Sequence, residues 1–527
     1  MSLKTRRSSR GSPRKINVFA KIIIPILWKS NNFLQEIFFF QKVSGSIAFI
    51  RRMCYNGTAF PPKKRLGNCN RYIASSHRKV NSMKSKIAHG TSERLPRQIL
   101  LFSLPLMASN VLQVLFNMAD IAVIGRFAGS ISLAAVGSTS TAVTLFTGIL
   151  IGLGGGINAL VARYYGAKDQ QELQRTVHSS AIICLVCGIL ITVFGFFGSR
   201  PLLRLLNTKP ELLDKATLYM QIYFCGMPAL ALYNFGNAVY SAIGNTKKPL
   251  YYLLLAGVVN VVLNLVFVIV CNLDVAGVAI ASIISQYLSA ILLTAALFRS
   301  REIYGLSPKL LRLHRKNCRE ILALGLPSGL QNAIFNIANM FIQAGVNSFD
   351  TVMVAGNAAA ANFDGLVYDV MAAFYTACSS FIGLNYGAGR RKEVRRSYLI
   401  CLGYSFGVGA ILGFSLLAFG PTLLKLFAAD ADVIAAGMKR LSIMGFSYCV
   451  SAFMDNAIAA CRGLGKSLVP MIIVISGSCI FRIIWVLTIF AWFKTIPSLY
   501  LVYIFSWSIT AAFENWYFFR CYRKLPA

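Results

Sequence analysis

Long runs of residues without a single charge limit most strongly what this chain can fold into. Uncharged segments cover 127–162, 216–246, 249–273, 321–349 and 399–424. A helix needs roughly 20 residues to cross the ~30 Å hydrocarbon core of a bilayer, and each segment is longer than that. Since only 13% of the residues are charged, against about a quarter in soluble domains, the sequence predicts an all-α polytopic membrane protein.

Twelve transmembrane helices account for the sequence after residue 83. We expect them at about 98–123, 134–161, 176–198, 213–243, 249–271, 276–298, 321–347, 352–385, 397–420, 432–461, 468–492 and 496–519. Lys and Arg are concentrated in the loops on the side of the N-terminus, for example at Arg390, Arg391 and Lys392. Positively charged loops face the cytoplasm, so we expect a multi-pass protein of the plasma (inner) membrane with both termini cytoplasmic.

The net charge of +35 is spread over these loops and the N-terminal extension. Basic loops beside apolar spans are typical of attraction to anionic lipid, whereas nucleic-acid binding needs a basic face on one module. We therefore expect the lipid bilayer, and not nucleic acid, as a partner. We take the chain to be a monomer.

Residues 1–82 differ in composition from the rest of the chain. They hold 17 Lys or Arg residues and one acid, Glu36, and their apolar patches are too short to span a bilayer. One interpretation is a basic arm at the membrane surface; the other is a start upstream of the natural one, which would lie near Met83. We divide the chain into a basic extension (1–90, disordered or mis-started), an N-terminal six-helix lobe (91–310) and a C-terminal six-helix lobe (311–527).

A duplication relates the two halves. Leu104-Pro105 recurs 222 residues later as Leu326-Pro327, and the tripeptide Tyr-Gly-Ala at 165–167 recurs 221 residues later at 386–388. Six helices per half is an even number, so both halves enter the membrane in the same sense, related by an axis along the membrane normal. The predicted fold is twelve transmembrane helices in two homologous six-helix lobes with a central cavity.

Five segments, taken in order, are similar to those of a known family. They are Leu104-Pro105, 118–126 (MADIAVIGR), 162–167 (ARYYGA), 241–246 (SAIGNT) and 461–465 (CRGLG). Together they resemble the MATE (multidrug and toxic compound extrusion) family over about residues 95–520. The resemblance implies a V-shaped pair of six-helix lobes that exports small amphipathic, often cationic, organic compounds. It implies exchange for H⁺ or Na⁺ as the coupling ion, with no other cofactor.

Two positions depart from the pattern of that family. Members often carry Asn-x-x-x-Asp in the fifth helix, where this chain has Asn260 and Asn264, and some carry a glutamate in the seventh, where it has Phe335-Asn336. The choice between H⁺ and Na⁺ therefore stays open. Asn260 and Asn264 lie one turn apart on one helix face. They either bind substrate or the water around a cation, or bridge neighbouring helices.

Asp120 is the first candidate for cation or proton coupling, with Asn260 and Asn264 beside it. It follows 22 uncharged residues near the outer end of the first helix, and a carboxylate removed from water binds a proton more readily. The residue 222 positions later is Ile342, so the duplicated fold does not need an acid here. The alternative is an interfacial aspartate that reaches water or pairs with Arg126.

Among the charged residues inside predicted spans of the second half, we single out Asp364, Asp369, Asp455 and Arg482. Charged side chains in a bilayer are costly, so they face a cavity or a partner. We expect Arg482 to pair with Asp455 or Asp369, or to face the cavity. All four are candidates for lining the substrate cavity.

Motifs for enzymes and metal sites are incomplete in this sequence. Residues 463–467 resemble the end of a phosphate loop, but Ala460 stands where the first glycine is required. Cys184 and Cys187 form a C-x-x-C in an apolar helix without a partner pair, so we interpret them as packing residues. The scarce histidines form no metal-ligand pair. We predict neither enzymatic activity nor a metal site.

The leading hypothesis is a secondary active multidrug efflux antiporter that works by alternating access. An alternative is a flippase for lipid-linked oligosaccharides, which needs a cavity ringed with several arginines to hold pyrophosphate, whereas we find only Arg482 for such a cavity. An intramembrane hydrolase, suggested by Tyr368-Asp369, is the distant alternative. Its second acidic motif, Gly-x-Gly-Asp, is missing.

The abrupt change of composition near Met83 leads to a first prediction. A chain that begins at Met83 should insert into the membrane and transport as well as the full chain, because residues 1–82 have no counterpart in the repeat. Expression level and transport by the two chains, compared side by side, test this. Loss of either on truncation would favour the basic-arm interpretation.

Overall fold

The computed structural model describes residues 94–426 and 430–526, so the proposed extension at 1–90 lies outside the described residues. Within them, eleven continuous helices are long and apolar enough to cross a membrane. A pair of shorter helices, α4a and α4b, forms a further crossing. The helices are α1 (Leu95–Ala128), α2 (Ser130–Ala167), α3 (Gln170–Leu205), α4a (Pro210–Phe224), α4b (Met227–Ala242), α5 (Lys247–Val270), α6 (Asp274–Phe298), α7 (Arg315–Val346), α8 (Thr351–Gly387), α9 (Arg391–Leu424), α10 (Ala431–Gly463), α11 (Leu468–Phe493) and α12 (Ile496–Arg523).

The fourth crossing is broken, although its hydropathy predicts a single helix. The break falls at Cys225 and Gly226, where the N–H of Gly226 donates to the carbonyl of Tyr223 at 2.9 Å. Pro228 lies in the first turn of α4b, where the missing N–H of proline costs no helix hydrogen bond. The twelve predicted crossings are therefore confirmed, with the fourth in two pieces.

Glycines end equivalent helices in the two halves. Gly244 follows α4b with φ +85°, and Gly465 follows α10 with φ +80°. The two are 221 residues apart in the sequence, and a left-handed φ favours glycine. The repeat therefore extends to the backbone conformation at these helix ends.

Two buried apolar clusters form the cores of the two halves. One combines residues of α2, α3, α4a, α4b and α6, including Cys184, with Ile321 and Leu324 from the start of α7. The other combines residues of α8 to α12 with Ile99 and Phe102 from the start of α1. Each half therefore buries the beginning of the other half's first helix.

The halves meet along a seam, which we define as the beginnings of α1 and α7 and the ends of α2 and α8. A methyl group at Gly156 would lie 2.6 Å from the backbone nitrogen of Gly325, so these helices touch backbone to backbone. Ser380 donates to Oδ1 of Asn158 at 2.9 Å, and these two residues are 222 positions apart. Such close approach at small residues is typical of helix packing in membranes.

Gly156→Ala should weaken the seam, because the added methyl group has no room beside the backbone of α7. Overpacking of this kind costs about 1–3 kcal/mol, so we expect a lower melting temperature of the purified protein. Gly137→Ala, in the same helix with no atom near the added methyl group, is the matched control. Equal melting temperatures for the two variants would contradict the packing.

Candidate functional site

Four polar side chains from three helices form a closed ring in the N-terminal half. Asn264 of α5 donates to one carboxylate oxygen of Asp120 on α1, and Ser282 of α6 donates to the other at 3.1 Å. The Asn264 amide also donates to Oδ1 of Asn260 at 3.3 Å, and Asn260 donates to the Ser282 hydroxyl at 3.4 Å. We name Asp120, Asn260, Asn264 and Ser282 the Asp120 ring.

The Asp120 ring is neutral apart from its aspartate, which is partly buried, while its two asparagines are buried. Asn264 is 0% exposed and Asn260 4%. No ion pair joins Asp120 to Arg126 in the described part of the chain. The structure thus brings Asp120, Asn260 and Asn264 together, and the alternative of an ion pair with Arg126 is not observed.

π-helical turns follow the ring residues on two of its helices. They cover Ile124–Ala128 in α1 and Val266–Val270 in α5. Such turns have looser backbone hydrogen bonding and are frequent at functional sites. They give both helices a point of local adjustment next to Asp120.

The ring can accommodate two charge states of Asp120. As an ionised carboxylate, Asp120 accepts both hydrogen bonds described above. The Oδ1 of Asn264 is buried and without a hydrogen-bond partner, so rotation of this amide would present an acceptor to a protonated Asp120. The same oxygens, with those of Asn260 and Ser282, are the hard donors that a cation such as Na⁺ binds.

Sequence reasoning missed Ser282 and two tyrosines of α4a that face the ring. Tyr219 and Tyr223 stack at 5.9 Å between ring centroids, and both interact electrostatically with Asp120. A serine among the apolar residues of α6 gives no signal of its own. The signal that indicates the two tyrosines is their spacing of one turn on α4a.

Arg482 lies fully buried in α11 without the predicted ion pair. Its guanidinium donates to Oδ1 of Asn339 at 2.7 Å and to the Ser506 hydroxyl at 3.2 Å. The rings of Phe335 and Tyr503 lie 4.5 and 4.7 Å from its central carbon, and such cation–π contacts stabilise a desolvated cation. The expected pairing with Asp455 or Asp369 is therefore wrong: an amide, a hydroxyl and aromatic rings hold this arginine.

Asp364 forms the buried ion pair of the C-terminal half. It lies 2.6 Å from Nη2 of Arg440 and accepts a hydrogen bond from Tyr448. Arg440 also donates to Asn357 at 2.6 Å. Sequence reasoning missed Arg440, although an arginine inside α10 is itself a signal. Asp364 is therefore held in place by Arg440 and is not left exposed.

Asp369 and Asp455 occupy different places near the seam. The backbone carbonyl of Asp369 accepts from the Asn110 amide of α1 at 2.7 Å, which joins the two halves. Asp455 is 9% exposed and interacts electrostatically with Arg462 and Arg482. The sequence-predicted cavity residues therefore separate into an ion pair (Asp364), a seam contact (Asp369) and a buried charged group (Asp455 and Arg482).

Comparison with known proteins agrees with the fold and the repeat. The MatE family model matches residues 105–266 and again residues 327–488, more than half of the chain, at the offset of 222 found in the sequence. The chain belongs to the MATE family. The two matches also assign one copy of the family unit to each half.

Relatives and solved structures show what this MATE protein is similar to. It is 29% identical to the "Probable multidrug resistance protein YpnP" of Bacillus subtilis (strain 168), over 68% of this chain and 80% of the relative. It is 26% identical to a protein described as "FAD transporter" of Shewanella oneidensis, over 66% of this chain and 78% of that one. The outward-facing structure of a multidrug resistance MATE family transporter shares its fold, with a TM-score of 0.76 and 22% identity over 82% of this chain and 96% of that chain.

The contacts of Arg482 predict the effect of removing its amide partner. Asn339→Ala should lower the stability of this MATE protein by about 1–3 kcal/mol, because a buried guanidinium N–H is left without an acceptor. Asp455→Asn should cost less, since Asp455 does not pair with Arg482. Melting temperatures of the two variants, with the exposed Asn362→Ala as control, test the order. A larger loss for Asp455→Asn would restore the ion-pair interpretation.

Proposed function

We propose that the protein is a secondary active efflux antiporter that exports small amphipathic or cationic organic compounds in exchange for H⁺ or Na⁺. The observation that carries this proposal is the Asp120 ring. One partly buried carboxylate among neutral hydrogen-bonding groups that suit both of its charge states is what an ion-coupled transporter needs. Its relatives are described as multidrug resistance proteins and transporters, which supports transport and not catalysis.

The seam supports alternating access. It lies at the end where α8 gives way to the basic residues Arg390 to Arg396, and basic loops face the cytoplasm. We therefore propose lobes 91–310 and 311–527, both termini cytoplasmic, a plasma-membrane location and a monomer. With the cytoplasmic ends in contact, the conformation is one in which substrate leaves outward.

The flippase alternative finds less support. Pyrophosphate needs several accessible cationic groups. Arg462 is partly exposed, but Arg440 is engaged by Asp364 and Arg482 by Asn339. Neither guanidinium is available to a phosphate without breaking these contacts. The antiporter is therefore the better proposal.

Asp120→Asn should abolish gradient-driven efflux while leaving expression normal, because the amide has nearly the size of the carboxylate and cannot change charge. We expect efflux to fall by roughly tenfold or more, as loss of coupling free energy implies. Asp120→Glu should retain part of the activity with a shifted pH optimum. The measurement is movement of a fluorescent cationic dye in proteoliposomes under an imposed H⁺ or Na⁺ gradient, each applied separately to identify the coupling ion.

Asp214→Asn is the matched control for this experiment. Asp214 is an acid with 81% side-chain exposure in α4a, so the same chemical change should leave efflux unchanged. Efflux by Asp120→Asn at the wild-type rate would show that ion coupling depends on another residue. Dye movement by the wild type that is independent of both gradients would contradict the antiporter proposal.

A further inference from the structure

A second group of charged residues, two of them buried and the third (Arg462) partly buried, lies in the C-terminal half, away from the Asp120 ring. It consists of Asp455 and Arg462 on α10 and Glu514 on α12, which interact electrostatically with one another. On α8, Tyr368 interacts with Asp455 and Arg462, and Asp369 interacts with Tyr368. We name Asp455, Arg462 and Glu514 the Glu514 group.

Glu514 is the most unusual member of this group. Its side chain is 0% exposed, and neither carboxylate oxygen has a hydrogen-bond partner among the described residues. One oxygen of Asp455 and Nε of Arg462 are also buried without partners. No ion pair within 4.0 Å joins these residues in the described ranges.

We propose that Glu514 is a second proton-binding site, in the lobe opposite to Asp120. An ionised carboxylate that is fully buried without hydrogen bonds is strongly destabilised, and a protonated carboxylic acid avoids most of that cost. Asp455 interacts with both Arg462 and Arg482, whereas Glu514 interacts only with Arg462 among the described cations and shares it with Asp455. A bound proton removes the charge that Glu514 would otherwise carry without a partner of its own.

The groups that face Glu514 leave a negative charge on it poorly compensated. From α10 they are the acid Asp455 and the cation Arg462. Cys461 of α10 and Tyr517 on the same helix as Glu514 also interact with it, and both are uncharged as thiol and phenol. From α11, Arg482 contacts α12 at Ser506, eight residues before Glu514. Among the described residues, Arg462 is the one cation that interacts directly with Glu514.

A proton fits this site better than a metal cation. A hard cation needs several oxygen ligands around it, whereas neither oxygen of Glu514 has a polar neighbour within hydrogen-bond distance. The guanidinium of Arg462 would also repel a second cation. The Asp120 ring, by contrast, supplies oxygens from four side chains.

Arg462 connects the Glu514 group to the seam. A methyl group at Gly155 of α2 would lie 2.8 Å from Nη1 of Arg462, so the guanidinium of one half touches the backbone of the other. While Glu514 is protonated, Arg462 is free to keep this contact. Loss of the proton creates a charge that draws Arg462 toward α12 and away from α2. Proton binding at Glu514 therefore favours the closed seam.

Infrared spectroscopy tests the proton on Glu514 without relying on transport. We expect the purified wild-type protein at neutral pH to show a protonated carboxylic C=O band that shifts in protein labelled with ¹³C-glutamate. Glu514→Gln should remove this band, whereas Glu211→Gln, an exposed glutamate in α4a, should leave it unchanged. Asp120→Asn should leave the glutamate band in place. The labelled wild type gives an answer even if Glu514→Gln fails to fold.

The outcomes separate this inference from the proposed antiport. Absence of a glutamate-dependent band at neutral pH, or its persistence in Glu514→Gln, would overturn the site. Loss of the band when Na⁺ replaces choline at constant pH would show a metal cation in place of the proton and would overturn it too. Its role in coupling, which rests on the proposed function, requires that Glu514→Gln exchange fewer protons per substrate than the wild type. An unchanged ratio would overturn that role.

Discussion

The cost of taking charge out of water is the constraint on which this structure depends. A carboxylate or guanidinium inside a membrane costs several kcal/mol unless hydrogen bonds or an opposite charge replace its water. The two halves meet this cost differently: Asp120 relies on one amide and one hydroxyl, whereas Asp364 relies on Arg440. Neutral partners leave Asp120 able to change its charge, because they can hydrogen-bond either form, while an ion pair fixes the charge of both members.

Duplication preserved the scaffold of this protein but not its ionisable groups. Gly244 and Gly465 end equivalent helices with nearly the same φ, and Asn158 contacts its own counterpart Ser380 across the seam. The charged positions behave otherwise. Asp120 corresponds to Ile342, and Glu514, at the offset of 221, corresponds to Leu293; both apolar counterparts are buried. The fold therefore does not require these acids. The two lobes share equivalent helices but differ in their ionisable residues.

Sequence alone predicted what depends on hydropathy and periodicity. The spans and the repeat follow from uncharged runs and a constant offset, and Asn260 and Asn264 follow from their spacing on one helix. What depends on packing between distant helices was not accessible. Nothing in the sequence indicates that Ser282 contacts Asp120. The balance of charges favoured an aspartate as the partner of Arg482, but Asn339 and aromatic rings stabilise the guanidinium instead. The break at Gly226 was missed because hydropathy continues through it, although Gly226 and Pro228 mark it.

The position of α1 offers a route by which an ion bound at Asp120, as proposed above, would act on the distant seam. Phe102 packs against Phe381 of α8 with 5.4 Å between ring centroids, and Asp120 follows 18 residues later, about 27 Å along the helix at ~1.5 Å per residue. Pro105 lies between them and removes one backbone hydrogen bond, so bending is least costly near the seam. A bound ion shifts a conformational equilibrium only by the difference between its affinities for the two conformations. Because α1 contacts both the ring and the opposite half, a change in hydrogen bonding at Asp120 that moves α1 must also change the packing of Phe102. The single helix is thus a sufficient mechanical link between ion binding and the contact of the lobes.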